Sequence, residues 1–186
     1  MITSPANPSG RRAIINGRIV SPQQGLDTRG GVLMEGGWIL AAGPSVTRDS
    51  VGNGAAVTDA KGCLVLPGLI DMRVFTGEPG SEYRENLASA SEAAAAGGVT
   101  TMIVMPNTQP VIDDAAIVDY VMRRARDTAS VRVAPMAAIT KGLAGELLAE
   151  TGLLKAAGAV AITDPTKSIA NANLLRRALT YARDFD

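Results

Sequence analysis

The chain reads as an α/β protein, a small β-sheet followed by the first four units of a (β/α) barrel, and three observations predict this. Up to about residue 62, short β-rich pieces alternate with tight-turn signals. From Leu64 onward, short apolar runs bounded by Gly, Pro or Asp alternate with helical stretches. The starts of those runs, Leu64, Val99, Val131 and Ala159, lie 28 to 35 residues apart, which is the length of a βα unit.

Taken in order, Ala13 to Ile15 ends at Asn16-Gly17, Gly31 to Met34 at Glu35-Gly36-Gly37, and Trp38 to Ala42 at Gly43-Pro44. Residues 1–62 are therefore expected to form antiparallel hairpins in a small sheet that needs a partner layer. Residues 63–186 are expected to carry strands over Leu64–Phe75, Val99–Met105, Val131–Ala138 and Ala159–Asp164. Between and after them, helices are expected over Ser81–Ala96, Asp113–Arg126, Gly145–Ala157 and Asn171–Arg183. Unbroken apolar runs suit parallel strands covered on both faces. An open dinucleotide-binding sheet would put G-x-G-x-x-G in its first strand-to-helix turn, and Thr76-Gly-Glu-Pro-Gly80 lacks it. Gly97-Gly98 reads as a helix C-cap, and Gly142 and Gly145 as a loop and a helix start. A full barrel takes about 250 residues. The last helix stops where a fifth strand is due, so the other half is expected from another chain or from a missing segment.

Composition narrows the function. Eighteen basic and eighteen acidic residues cancel, and the arginines are scattered, which leaves no footprint for nucleic acid or an anionic membrane. The start, Met1 to Gly10, is polar and Pro/Gly-rich with no charged and apolar leader pattern, and no apolar run approaches a membrane span. The cytoplasm is the expected location. Cys63 is the single cysteine, so no internal disulfide forms, and it is expected to pack as a small buried hydrophobe. The chain has no histidine, so neither a histidine metal centre nor a Ser-His or Cys-His pair can be built from it.

Several motifs carry a resemblance when read together. They are Pro67-Gly-Leu-Ile-Asp-Met-Arg-Val-Phe-Thr-Gly-Glu-Pro-Gly80, Ala93-Ala-Ala-Ala-Gly-Gly-Val-Thr-Thr101, Met105-Pro-Asn-Thr-Gln-Pro110 and Gly158-Ala-Val-Ala-Ile-Thr-Asp164. In order and spacing the chain resembles the dihydroorotase family of the amidohydrolase superfamily. That resemblance implies a (β/α)8 TIM-type barrel flanked by a small β-sandwich, a zinc cofactor, and the interconversion of carbamoyl-aspartate and dihydroorotate in pyrimidine synthesis.

The family's first strand runs Asp-Met-His-Val-His-x-Arg-Glu-Pro-Gly, so Arg73 and Phe75 hold its two metal-binding positions and Gly77 holds its substrate-binding arginine. A guanidinium has no lone pair to give a metal, and neither has a phenyl ring. Asn107 matches an asparagine that helps hold the substrate carboxylate, although Asn also suits the turn after Met105-Pro106. Asp164 matches an aspartate that ligates metal. Asp71 and Asp164 alone offer no nitrogen or sulfur, so no metal is expected from this chain and no catalytic residue is assigned. Arg73 is expected to ion-pair with Asp164, or else to extend to solvent. Lys141 and Lys167 are expected at the surface.

These expectations favour a catalytically silent dihydroorotase-like protein. By resemblance to noncatalytic homologues, it would be a structural partner of aspartate carbamoyltransferase. Two other readings remain open: an active cyclic amide hydrolase whose ligands come from the other half, and a binder of a small anion through Arg73 and Asn107.

Overall fold

The computed structural model of the chain describes residues 10–185, so the polar stretch from Met1 to Ser9 lies outside the described residues. The chain divides between Pro67 and Gly68 into two compact units.

The first unit is a small sheet of β1 (Arg11–Ser21), β2 (Leu26–Glu35), β3 (Trp38–Gly43), β4 (Ala56–Asp59) and β5 (Leu64–Val65), with the one-turn helix α1 (Arg48–Val51) before β4. Its strand order is β3-β2-β1-β4, with β5 also paired to β1. Residues alternate along β1, so Ala13 and Ile15 face a core completed by Val46 and Val51. The Gly36-Gly37 turn between β2 and β3 has φ of 56° and 83°, the left-handed pair a two-residue hairpin needs.

Several expectations fail in this unit. Asn16-Gly17 is not a hairpin turn but a bulge inside β1. Asn16 is left-handed at φ 57° and donates from Nδ2 to Asp59 Oδ2 at 3.1 Å, and the β1–β2 register shifts between Ile14 and Gly17. A left-handed residue can kink a strand as readily as it can end one. The sheet is also mixed, since β4 and β5 run parallel to β1.

Leu64–Val65 is a further correction, because it belongs to this sheet, where Arg18 pairs with Leu64 and Ile19 with Val65. Pro67 and Gly68 split what reads as one apolar run. The unit boundary therefore falls after Pro67, not after Gly62. Cys63 is exposed instead of buried, since only its backbone enters the sheet, its carbonyl accepting from Arg18 N at 3.0 Å.

The second unit contains β6 (Leu69–Val74), α2 (Leu87–Ala96), β7 (Val99–Val104), α3 (Ala115–Thr128), β8 (Arg132–Ala137), α4 (Thr151–Ala157), β9 (Ala161–Ile162) and α5 (Ala172–Ala182). The four strands are parallel in the order β6-β7-β8-β9, the expected half-barrel. Met102, Val104 and Val133 pack with Leu87, Val118, Val121 and Leu154 into one core. The intervening strand positions Ile103, Met105, Ala134 and Met136 form a second, separate cluster, as the two-residue side-chain period requires.

Helix starts are set by capping side chains. Asn86 accepts from Ser89 N and Ser89 Oγ accepts from Asn86 N, so α2 begins only at Leu87, and residues 81–86 form a loop where a helix is expected. Residues 145–150 are likewise loop, because left-handed Gly142, Leu143 and Gly145 cannot start a helix, and α4 begins at Thr151. Gly97 caps α2, as expected. Among the described residues, no helix is long and apolar enough to cross a membrane.

Candidate functional site

The C-terminal ends of the parallel strands are where a half-barrel can place chemistry, since the loops that follow them converge there. Arg73 and Phe75 lie at this end of β6. Asp71 Oδ1 accepts from Arg73 N at 2.9 Å, which fixes the backbone between them. The Arg73 guanidinium lies 5.2 Å from the centre of the Phe75 ring and reaches Pro165 O from Nη2 at 3.5 Å.

The expected ion pair between Arg73 and Asp164 is absent. The ion pairs among the described residues are Arg11–Glu35, Arg18–Asp27, Arg123–Asp119 and Arg124–Glu78. Two features explain this. Arg73 is exposed, so it has no desolvation cost for a partner to offset. The Asp164 carboxylate is also already engaged: Oδ1 accepts from Ile139 N at 2.9 Å and Thr140 N at 3.2 Å, and Oδ2 accepts from Thr140 Oγ1. Thr140 is fully buried, and its Oγ1 in turn accepts from Gly145 N at 3.0 Å. Asp164 thus fastens the loop after β8 to the end of β9.

The residues present do not fit a zinc ion. Arg73 and Phe75 offer it no donor, Asp164 is engaged by three hydrogen bonds, and the described residues contain no cluster of three or more potential ligands. Lys167 lies on the loop after Asp164 and lines with it a cleft of about 450 Å³, while Lys141 lines a separate cleft beside α5.

Phe75, Gly77 and Asn107 come together in a cleft of about 310 Å³, which Arg84, Glu85 and Thr108 also line. Position 77 has no room for a side chain, because a Cβ there would stand 2.1 Å from Ser81 O and 2.7 Å from Glu85 O. Gly77 N donates to Glu85 O at 2.9 Å, and Gly77 O accepts from Ser81 N at 2.5 Å, so the loop closes on this glycine. The Asn107 side chain is half-buried.

Sequence reasoning missed Glu78. It is 2% exposed, accepts from Leu87 N at 2.9 Å on Oε2, and accepts from Arg124 Nε on Oε1. It thereby ties the loop after β6 to the first turn of α2 and to α3. The Glu78 hydrogen bond, with its charge, holds the Arg124 guanidinium above its ordinary pKa. The available signal was an acid placed between Gly77 and Pro79 just before a helix. Its burial depended on Arg124, 46 residues on, which no local pattern announces.

Comparison with known proteins agrees with this architecture. A family model described as Dihydro-orotase-like matches residues 62–186. A dihydroorotase of Pelobacter propionicus is 47% identical over 170 residues, 91% of this chain and 39% of its own length. One of Syntrophotalea carbinolica is 46% identical over 174 residues, 93% of this chain and 40% of its own. The chain thus spans about two-fifths of the length of the curated relatives it matches. Among solved structures, the L-hydantoinase (dihydropyrimidinase) from Arthrobacter aurescens aligns with a TM-score of 0.76 at 22% identity, over 93% of this chain and 38% of that one. A D-hydantoinase aligns with a TM-score of 0.71 at 23% identity, over 94% and 38%. The hydantoinase likeness is one of fold, that of an amidohydrolase barrel of which this chain holds the first strands. The sequence likeness is closer, and by the family model over residues 62–186 and relatives 46–47% identical over most of the chain, the chain belongs to the dihydroorotase-like family.

Proposed function

We propose that this chain is part of a catalytically silent dihydroorotase-like protein of cytoplasmic pyrimidine biosynthesis, serving as a structural partner of aspartate carbamoyltransferase. The observation that carries the silent reading is the end of β6. A guanidinium and a phenyl ring stand where the family has two imidazoles, and the one family carboxylate that remains, Asp164, is engaged by three hydrogen bonds. A metal held by later strands would face the fixed positive charge of Arg73. The apolar side chains of β6 support the need for a remaining half, from a separate chain or a further segment: Leu69, Ile70 and Met72 are 53%, 63% and 64% exposed.

The test is metal and turnover in the complete assembly. The expected result is no stoichiometric zinc, no dihydroorotate hydrolysis, and co-purification with the carbamoyltransferase at fixed ratio. Stoichiometric zinc with turnover would replace this reading with an active cyclic amide hydrolase. A second reading, retention of the cleft for a small anion, is favoured by one observation: Arg84 and Asn107 both line it, and among the described residues the Arg84 side chain enters no ion pair.

A further inference from the structure

The sequence contains two Asn-Gly pairs, Asn16-Gly17 and Asn53-Gly54, and the fold places them in opposite surroundings. An asparagine before glycine is chemically labile, because no side chain on the next residue hinders its backbone nitrogen from reaching the Asn amide carbon. The ring that forms needs a backbone free to turn about the asparagine and room for the closing atoms.

Asn53 and Gly54 lie in the turn between α1 and β4, and both are exposed. A Cβ at Gly52 or Gly54 would meet no atom within 4 Å, so the pair has open space on both sides. Asn16-Gly17 is held at several points. Asn16 Nδ2 donates to Asp59 Oδ2 at 3.1 Å, and Asn16 O accepts from Gly62 N at 2.7 Å. Gly17 is buried and pairs with Gly30 on β2, and a Cβ on it would stand 2.6 Å from Val65 Cγ2. The next residue is also fixed, since Arg18 N donates to Cys63 O at 3.0 Å.

We propose that Asn53 is a site of spontaneous deamidation in the folded chain, and that the β1 bulge protects Asn16 from the same reaction. The Gly54 nitrogen loses its proton to solvent base and attacks Asn53 Cγ. The new N–Cγ bond closes a succinimide ring as the Cγ–Nδ2 bond breaks, and ammonia leaves with a proton from solvent. Water then opens the ring at either carbonyl, giving aspartate or isoaspartate. Each event turns a neutral amide into a carboxylate. At Asn53 that charge enters solvent, whereas at Asn16 it would stand against the Asp59 carboxylate, so the shielded asparagine is the one whose conversion would oppose folding.

The test is incubation of the full chain in mildly alkaline buffer, folded and in urea, followed by mass spectrometry of tryptic peptides. Cleavage after Arg12 and Arg18 isolates Asn16 in one peptide, and cleavage after Arg48 and Lys61 isolates Asn53 in another. Each site is referred to its own rate in urea, which removes the effect of the preceding residue, Ile15 or Gly52. In the folded chain Asn53 is expected to convert within about threefold of its rate in urea, and Asn16 at least about tenfold below its own, since closure there waits on local opening of the bulge. Asn53→Gln should abolish the acidic form that builds up on ion-exchange chromatography. Three results would each overturn the assignment: Asn53 slowed by folding as much as Asn16, Asn16 converting at its unfolded rate, or the acidic form persisting undiminished in Asn53→Gln.

Discussion

Gly77 is the residue on which the loop after β6 closes. Any Cβ there meets two backbone carbonyls, at 2.1 and 2.7 Å, and backbone cannot swing aside as a side chain can. Gly77→Ala is expected to lower stability by about 1–3 kcal/mol in urea denaturation, the usual cost of overpacking. Parental stability would show that the loop yields freely. The same crowding separates two steps in any restoration of a metal site. Arg73→His with Phe75→His should raise zinc affinity in equilibrium dialysis, whereas adding Gly77→Arg should cost stability without adding affinity, because the loop must open to admit it. A second residue-scale effect lies in the small sheet. The backbone N–H of Lys61, and next the Asn16 amide, hold the Asp59 carboxyl below its ordinary value of 3.8. A lowered folded-state pKa contributes stability that is present above 3.8 and is lost as the pH falls through the still lower folded value. Asp59→Asn should therefore flatten the decline of melting temperature between about pH 5 and about pH 2. An unchanged slope would place the acid sensitivity elsewhere.

At the scale of elements, Asp164 acts as a latch. Its carboxylate gathers Ile139 N, Thr140 N and Thr140 Oγ1, and the same hydroxyl accepts from Gly145 N, so one side chain at the end of β9 orders the segment that leads to α4. Asp164→Ala should speed amide hydrogen exchange at Ile139, Thr140 and Gly145 more than in β7. It should cost about 1–3 kcal/mol for the buried donors left unmet. Uniform exchange rates across the second unit would deny the latch. The elements themselves were largely legible, because apolar runs bounded by Gly, Pro or Asp mark parallel strands wherever both faces are covered. The failures share a cause. Leu64–Val65, the Asn16 bulge and the late start of α4 depend on pairing across the sheet or on left-handed backbone, and the late start of α2 depends on the Asn86–Ser89 cap. None of these leaves a periodic trace. Arg73, Phe75, Gly77, Asn107 and Asp164, which the family resemblance singled out, lie at or just after strand ends, and their bonds could not be read from the sequence. What Asp164 holds was decided by Thr140, 24 residues away, so the expected pair with Arg73 could not be checked from the sequence.

For the molecule as a whole, β6 is the strand whose surroundings do not match its composition. Every one of its residues from Leu69 to Arg73 is exposed, although the strand pairs along one edge with β7 and three of those five residues are large and apolar. In the neighbouring β7 the apolar residues Met102, Ile103 and Val104 are buried. A helix beside β6 and a further strand along its free edge would remove this difference, which is what closing a (β/α)8 barrel supplies. The consequence can be measured on one side chain. Met72 is 64% exposed, so Met72→Gln should leave the stability of the 186-residue chain nearly unchanged. In a protein carrying the remaining barrel strands, in one chain or two, the same substitution should cost about 1.5–3 kcal/mol, the value of burying a methionine side chain. Parallel urea denaturation of the two proteins, each with and without the substitution, decides the matter. An equal cost in both would mean that the second half of the barrel does not cover β6.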